Sequence, residues 1–239
     1  MLLLLLACAP LTPSPVGETL TWSGYLFVDP LDGSDLLPLE TGRLTVTDPS
    51  GADVHPAEAP YADSPAWWSF ETAPEAELAL RVSGPGLQPT VFRTKAPARG
   101  AAFWFQGTVY AVPTDAIDAL LASLLEAPLT GALPQPLAAG QTAALWLAPL
   151  VPENWPDVAL ALTDGLGNPA DLQAFTATEG GYAAARNGDP IDLLLAADLA
   201  PGPITLTVTA PGAAPLSTTW PAQGGDLLVA PYYTLPGDL

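Results

Sequence analysis

Apolar residues alternate with polar or small ones in four separate stretches of this chain. The apolar positions are Leu44 and Val46, then Leu78, Leu80 and Val82, then Val158, Leu160 and Leu162, and finally Ile204, Leu206 and Val208. A period of two places one side of a strand on a core and the other in water, as in antiparallel sheets. We therefore predict an all-β protein, with the intervening Ala79 and Arg81 facing solvent.

Turn motifs follow these strands, and they occur twice. Thr47-Asp48-x-x-Gly51 recurs as Thr163-Asp164-x-x-Gly167, and Pro97-Ala98-Arg99-Gly100 recurs as Pro221-Ala222-Gln223-Gly224. Three further matches are Ala73-Pro74 with Ala200-Pro201, Tyr110-Ala111-Val112-Pro113 with Tyr233-Thr234-Leu235-Pro236, and Trp22 with Trp146. Their common order and nearly constant spacing indicate a tandem duplication, in which loop insertions account for the drift.

One helix is predicted between the two copies, over residues 114–126. Thr114 can cap its first turn, Ile117 and four leucines form one apolar stripe, and Pro128 ends it. The stripe either packs across the seam of two sandwiches or docks a partner. The predicted organisation is a signal segment at 1–8, a tether at 9–17, a first sandwich at 18–113, a helical linker at 114–139 and a second sandwich at 140–239.

The chain opens on an apolar segment that ends in its single cysteine. Leu5-Leu6-Ala7-Cys8 resembles the lipobox of bacterial lipoproteins, in which the cysteine becomes lipidated and forms the mature N-terminus. The Pro/Ser/Thr-rich residues after Pro10 suit a tether between lipid and domain. The resemblance implies a lipid-anchored protein of the bacterial cell envelope, with Ala9 after the cysteine indicating the outer membrane. The alternative is an uncleaved apolar tail with a chance cysteine.

Composition narrows the possible partners. The chain carries 6 Lys and Arg against 25 Asp and Glu, for a formal net charge of −19. Such a surface repels phosphate, so binding to nucleic acid or to an anionic membrane surface is not expected. Since Cys8 is the one cysteine, neither disulfides nor thiolate chemistry are expected in the body of the protein.

Both copies resemble one family of β-sandwich modules. Leu199-Ala200-Pro201-Gly202-Pro203-Ile204-Thr205-Leu206-Thr207-Val208 is similar to the Leu-x-Pro-Gly-x-Tyr-Thr-Leu-x-Val signature of carboxypeptidase regulatory-like domains, which are transthyretin-like. The strands before Asp48 and Asp164 are similar to the family's earlier Val-x-Val-x-Asp-x-x-Gly motif. Ile204 stands where the family has Tyr, and Glu75 stands where the first copy would have Gly. The resemblance implies two tandem sandwich domains that are Ig-like or transthyretin-like, without catalytic residues.

Catalytic chemistry has few candidates in this sequence. The single histidine, His55, is expected in an exposed polar loop, and zinc sites or histidine-based nucleophile sets need more His or Cys than the chain has. A glycosidase needs two carboxylates, but the acids are expected in turns or in the helix, with none in an apolar surrounding that would raise its pKa. We therefore predict neither enzyme activity nor a cofactor.

Two weaker ligand sites remain as hypotheses. Asp29, Asp32 and Asp35 surround Gly33 and could offer oxygen ligands to calcium, although a hairpin turn explains them equally. Trp67 and Trp68 are neighbours, so a strand would point one into the core and expose the other, which could stack on a sugar.

The function expected from these observations is a structural or protein-interaction module that is held at the envelope by its lipid. The alternative is a carbohydrate-binding surface lipoprotein that uses an exposed tryptophan. Under either hypothesis the partner is an envelope protein or a glycan.

Overall fold

The chain folds into β-strands joined by turns, as a computed structural model shows. The structure describes residues 20–28, 35–36, 43–47, 53–56, 67–95, 107–114, 117, 137, 140–149, 151–179 and 181–233. The strands are β1 Leu20–Val28, β2 Asp35–Leu36, β3 Arg43–Thr47, β4 Asp53–Pro56, β5 Trp67–Thr72, β6 Glu77–Gly84, β7 Leu87–Lys95, β8 Gly107–Pro113, β9 Ala143–Pro149, β10 Ala159–Thr163, β11 Pro169–Ala170, β12 Gln173–Thr178, β13 Gly181–Ala184, β14 Leu193–Leu199, β15 Gly202–Thr209, β16 Leu216–Ala222 and β17 Leu227–Tyr233. A 3₁₀ helix spans Pro152–Asp157. The predicted all-β class is confirmed.

The order of strand pairing in the first half, up to Thr114, recurs in the second half, from Gly140. Strand β1 pairs antiparallel with β5 and parallel with β8, just as β9 pairs antiparallel with β14 and parallel with β17. Strand β3 lies between β4 and β6, just as β10 lies between β11 and β15. The hairpin β6–β7 likewise corresponds to β15–β16. Strand pairing therefore repeats together with the sequence motifs.

The register of these pairs also repeats. Leu44 lies opposite Val82 in the first half, and Leu160 lies opposite Val208 in the second. Because a shift of one residue would turn every side chain to the other face, equal registers keep the same positions in the interior of both copies.

The two halves nevertheless share one sheet. Strand β17 pairs in parallel with β9 on one side and with β7 on the other, where Leu227 lies opposite Thr90. The resulting sheet has 13 strands drawn from both halves. One buried cluster likewise joins Trp68 and Leu80 to Trp146 and Leu227. Each half therefore does not close its own separate core, and the domain bounds at 18–113 and 140–239 remain a prediction.

The outer face of β6 is covered rather than solvated. Ala79 on β6 and Val91 on the neighbouring β7 are each 1% exposed and belong to the second buried cluster, together with Leu206 and Trp220. The expectation that Ala79 and Arg81 face water was wrong, because the second half packs against this side of the sheet. Period-two alternation identifies two faces, but it does not reveal that another part of the chain covers the second one.

Two turns of the second half meet at a pair of glycines. The Gly165 N–H donates to the Ala200 carbonyl at 2.8 Å, and a side chain at Gly165 would overlap the backbone of Pro201 and Gly202. Gly202 has a φ of +130°, and Glu75 in the first copy has a φ of +58° at the turn where the family motif calls for glycine. The Pro-Gly turn therefore needs a left-handed backbone in both copies, although only the second supplies glycine for it.

The predicted linker helix lies largely outside the described residues. Thr114 and Ile117 are helical, and Ile117 is 1% exposed within the cluster that both halves share. Leu137, from the same linker, is buried in that cluster as well. Both side chains thus contact a cluster that contains residues of both halves, which agrees with the prediction that the linker packs across the seam. Among the residues that the structure describes, there is no helix of sufficient length and apolar character to span a membrane.

Candidate functional site

The polar centre of the described structure is an ion pair between the two halves. Arg81 on β6 donates to Asp226 through two parallel contacts, Nη1 to Oδ1 at 2.6 Å and Nη2 to Oδ2 at 2.5 Å. The Asp226 side chain is 1% exposed and that of Arg81 is 20% exposed. Two parallel N–H···O contacts fix both the distance and the orientation of the partners. This pair therefore ties the turn before β17 to the middle of β6.

Backbone contacts hold the Asp226 turn in place. The Gln223 N–H donates to Asp226 Oδ2 at 2.7 Å, and the Gly225 N–H donates to the Thr142 carbonyl at 2.8 Å. Gln88, which is 1% exposed on β7, donates through Nε2 to the Gly225 carbonyl. The turn is thus bonded to both halves at once.

A second arginine makes a similar bridge farther along the seam. Arg93 on β7 donates to the backbone carbonyl of Thr219 on β16 and forms an ion pair with Glu77. Of the 6 basic residues in the chain, Arg81 and Arg93 are thus both used to join the halves. We call Arg81, Asp226, Gln88 and Arg93 the junction cluster.

Burial raises the pKa of Asp226 above its ordinary value of 3.8, although the hydrogen bonds and charge of Arg81 and the Gln223 N–H act to lower it. The expectation that no acid lies in an apolar surrounding was wrong at this position. A raised carboxyl pKa is one mark of a general acid, but here Arg81 contacts both oxygens and Gln223 contacts one of them as well. These contacts give Asp226 a structural role, because they hold the turn before β17 against β6.

Trp68 lies in the core rather than on a ligand-binding surface. Its side chain is 0% exposed and stacks on Phe70, with ring centroids 5.6 Å apart and an interplanar angle of 16°. The expectation that one of the two adjacent tryptophans enters the core is thus met by Trp68, and the carbohydrate hypothesis now depends on Trp67. Trp67 is the first residue of β5, opposite Tyr25, and its side chain lies outside what the structure describes.

We expect Trp68→Phe to lower the free energy of unfolding by about 1–2 kcal/mol, because a smaller ring leaves a cavity in the core. Urea unfolding checks this value. Fluorescence titration with envelope glycans would show the same quenching in Trp68→Phe as in the wild type, whereas Trp67→Phe is the matched variant that would lose quenching if Trp67 contacts sugar. Wild-type stability of Trp68→Phe would contradict its place in the core.

The structure describes only some of the other residues that were predicted to bind a ligand or lipid. Cys8, Asp29 and Asp32 lie outside the described residues, while Asp35 begins β2 and its side chain is not described. His55 lies in strand β4, opposite Val46, and not in a loop. In the part of the chain that the structure describes, no three His, Cys, Asp or Glu side chains are grouped so that they could hold a metal ion. The lipidation and calcium hypotheses therefore remain predictions.

Comparisons with known proteins give only distant likenesses for this chain. No protein family and no characterised protein matches this sequence. Among solved structures, the major pilin subunit BcpA of Bacillus cereus matches over 90% of this chain and 69% of its own, with 9% identity and a TM-score of 0.27. A family CBM26 module from Eubacterium rectale Amy13K, solved in complex with maltoheptaose, covers 90% of this chain and 93% of its own, with 10% identity and a TM-score of 0.22. Such low scores carry no functional argument, and the β-sandwich character rests on the strand pairing described above.

The junction cluster was not found from the sequence. Arg81 stands in an alternating strand as an ordinary solvent-facing residue would, and Asp226 follows two glycines as a turn residue would. The scarcity of basic residues could have pointed to Arg81, because in a chain with only 6 of them an arginine within a strand is a candidate for an ion pair.

Proposed function

We propose that this protein is a non-catalytic, lipid-anchored component of the bacterial cell envelope that serves as a structural or protein-interaction module. In this proposal its body derives from two transthyretin-like sandwich units, of the kind that carboxypeptidase regulatory-like domains represent. The lipid on Cys8 is its attachment to the outer membrane, and residues 9–17 are the tether.

The observation that carries this proposal is the way in which β17 connects the halves. Strand β17 pairs with both β9 and β7, and Arg81 forms an ion pair with Asp226, the residue directly before β17. Two modules joined only by a linker would move relative to each other. A shared sheet with an ion pair across it instead favours a body of fixed length, which suits a spacer that presents a surface at a set distance from the membrane.

A non-catalytic role is supported by the use of Asp226. Among the described residues it is the one charged side chain in the buried set, and both of its oxygens are engaged by Arg81. A general acid or base must exchange a proton with a substrate, for which this carboxylate has no free oxygen.

Radiolabelled palmitate is expected to label the wild-type protein in a bacterial host and not to label Cys8→Ser, because the sulfur of Cys8 is the atom that bonds to the lipid. Membrane fractionation followed by autoradiography measures this. The matched control is Ser14→Ala in the tether, which keeps the cysteine and should label normally. An unlabelled wild-type chain would remove the anchor from the proposal, while cross-linking in intact cells would still test the interaction role.

A further inference from the structure

Strand β16 has the pairing geometry of β7 but lacks the neighbour that β7 has. Thr90 on β7 lies opposite Val82 on β6, and Leu216 on β16 lies opposite Val208 on β15 in the same register of the repeat. On its other side, β7 receives β17, with Leu227 opposite Thr90. Among the described strands, β16 pairs with β15 alone and ends its four-stranded sheet.

The exposure of Leu216 follows from this difference. Leu216 shares the inward face of β16 with Trp220, which is 0% exposed, since side chains alternate along a strand. Yet Leu216 is 42% exposed, whereas its counterpart Thr90, which has β17 beside it in the same sheet, is 0% exposed. An apolar side chain on the core side of a strand is thus left exposed at the position where β7 has a paired neighbour and β16 has none among the described strands.

This edge is also free of charge. No Asp, Glu, Lys or Arg occurs between Asp198 and Asp226, a stretch that includes all of β15 and β16. Natural proteins commonly protect edge strands with charged residues, and lysine is the most frequent of them. In a chain of net charge −19, two copies repel each other over most of their surfaces, and an uncharged edge is where they can approach.

We propose that β16 is the interface of a homodimer, in which the β16 strands of two copies pair antiparallel about a two-fold axis. A two-fold contact brings the same patch of both copies together, so each uncharged edge meets its own equivalent. The contact uses the start of the strand, at Leu216 and Ser217, because Arg93 already occupies the Thr219 carbonyl. Pairing covers Leu216 and extends each four-stranded sheet into that of its partner.

Sedimentation velocity on the full chain carrying Cys8→Ser tests the proposal, since that variant has no lipid and no thiol through which two copies could join. We expect the mass to rise from the 24.6 kDa monomer toward the dimer with increasing concentration. Leu216→Lys should raise the dissociation constant by about tenfold or more, because two lysines would face each other across the axis. Leu166→Lys is the matched control, since Leu166 is 76% exposed in the β10–β11 turn and the change in charge is the same.

Cross-linking gives an independent measure in the same background. Because Cys8 is the one cysteine, Ser217→Cys in the Cys8→Ser chain carries a single thiol. A short thiol-specific cross-linker should yield covalent dimers from Ser217→Cys, and far fewer from a matched chain with Leu166→Cys. Far-UV circular dichroism establishes that each variant is folded.

Three results would overturn the dimer. In the first, the chain stays monomeric up to about 1 mM. In the second, Leu216→Lys and Leu166→Lys raise the dissociation constant of the dimer equally, and in the third, the two cysteine variants give equal yields of covalent dimer. The inference goes beyond the proposed function, because dimerisation in solution needs no anchor. A negative outcome here would leave the palmitate result unaffected.

Discussion

Gly165→Ala is expected to lower the free energy of unfolding by about 3 kcal/mol or more. The added Cβ would overlap the carbonyl group of Pro201 and the nitrogen of Gly202, which are backbone atoms and cannot rotate away. The turn cannot simply retreat, because the Gly165 N–H is bonded to the Ala200 carbonyl. Urea unfolding followed by tryptophan fluorescence measures the loss.

Gly212→Ala is the matched control for this substitution. Gly212 has a φ of +76° and nothing within 4 Å of an added Cβ, so its replacement brings left-handed strain without a clash. That strain amounts to about 1 kcal/mol. If Gly165→Ala proves no more destabilising than Gly212→Ala, the close contact between the two turns is not as described.

Arg81→Met is the second large effect, with an expected loss of about 3 kcal/mol near pH 7. Removing one member of a buried ion pair leaves the other charge without compensation, and the lower end of the usual range applies because Arg81 is partly exposed. Methionine retains much of the arginine stem's packing, so the loss reports the charge contacts. The measurement is urea unfolding of wild type and variant in the same buffer.

The deficit of Arg81→Met should narrow as the pH falls. Burial already raises the pKa of Asp226, and without Arg81 the influences that lower it are largely gone. Between the ordinary value of 3.8 and the raised pKa, the folded chain binds more protons at Asp226 than the unfolded chain does, so this group's contribution to stability increases as the pH decreases. Comparing variant with wild type at about pH 7 and about pH 4.5 tests this sign.

Glu77→Gln is the control for the ion pair. Glu77 is 56% exposed in its contact with Arg93, and exposed pairs contribute about 0.5 kcal/mol or less. Its effect should therefore be small, and it should not narrow between the two pH values. A small loss for Arg81→Met at neutral pH would mean that the junction does not depend on this pair.

The sequence predicts the strands well because strand patterning is a local property. Period-two alternation and turn residues lie within a few positions of each other, and the registers of Leu44 with Val82 and of Leu160 with Val208 repeat as the motifs do. Trp68 is a middle case, since alternation predicts that one of two neighbours is buried but not which one.

The junction could not be predicted in the same way. Arg81 and Asp226 are 145 residues apart, and nothing in either neighbourhood points to the other. The pairing of β17 with β7 depends on how the two halves of the chain lie against each other in space. The alternating pattern of β6 predicts only that Ala79 and Arg81 share a face. Whether that face is exposed to water or buried depends on the second half of the chain, which packs against it.

The central position of β17 has a consequence for how the chain reaches its folded state. Gln88 on β7 and Gly225 before β17 are 137 residues apart, so the middle of the sheet closes through one of its least local contacts. Such contacts form slowly, and until β17 arrives the edges of β7 and β9 are both open to pairing with other chains. The two strand edges therefore stay exposed until residues 227–229 pair with both of them, so a strand that is synthesised after both β7 and β9 protects the middle of the sheet against association with other chains.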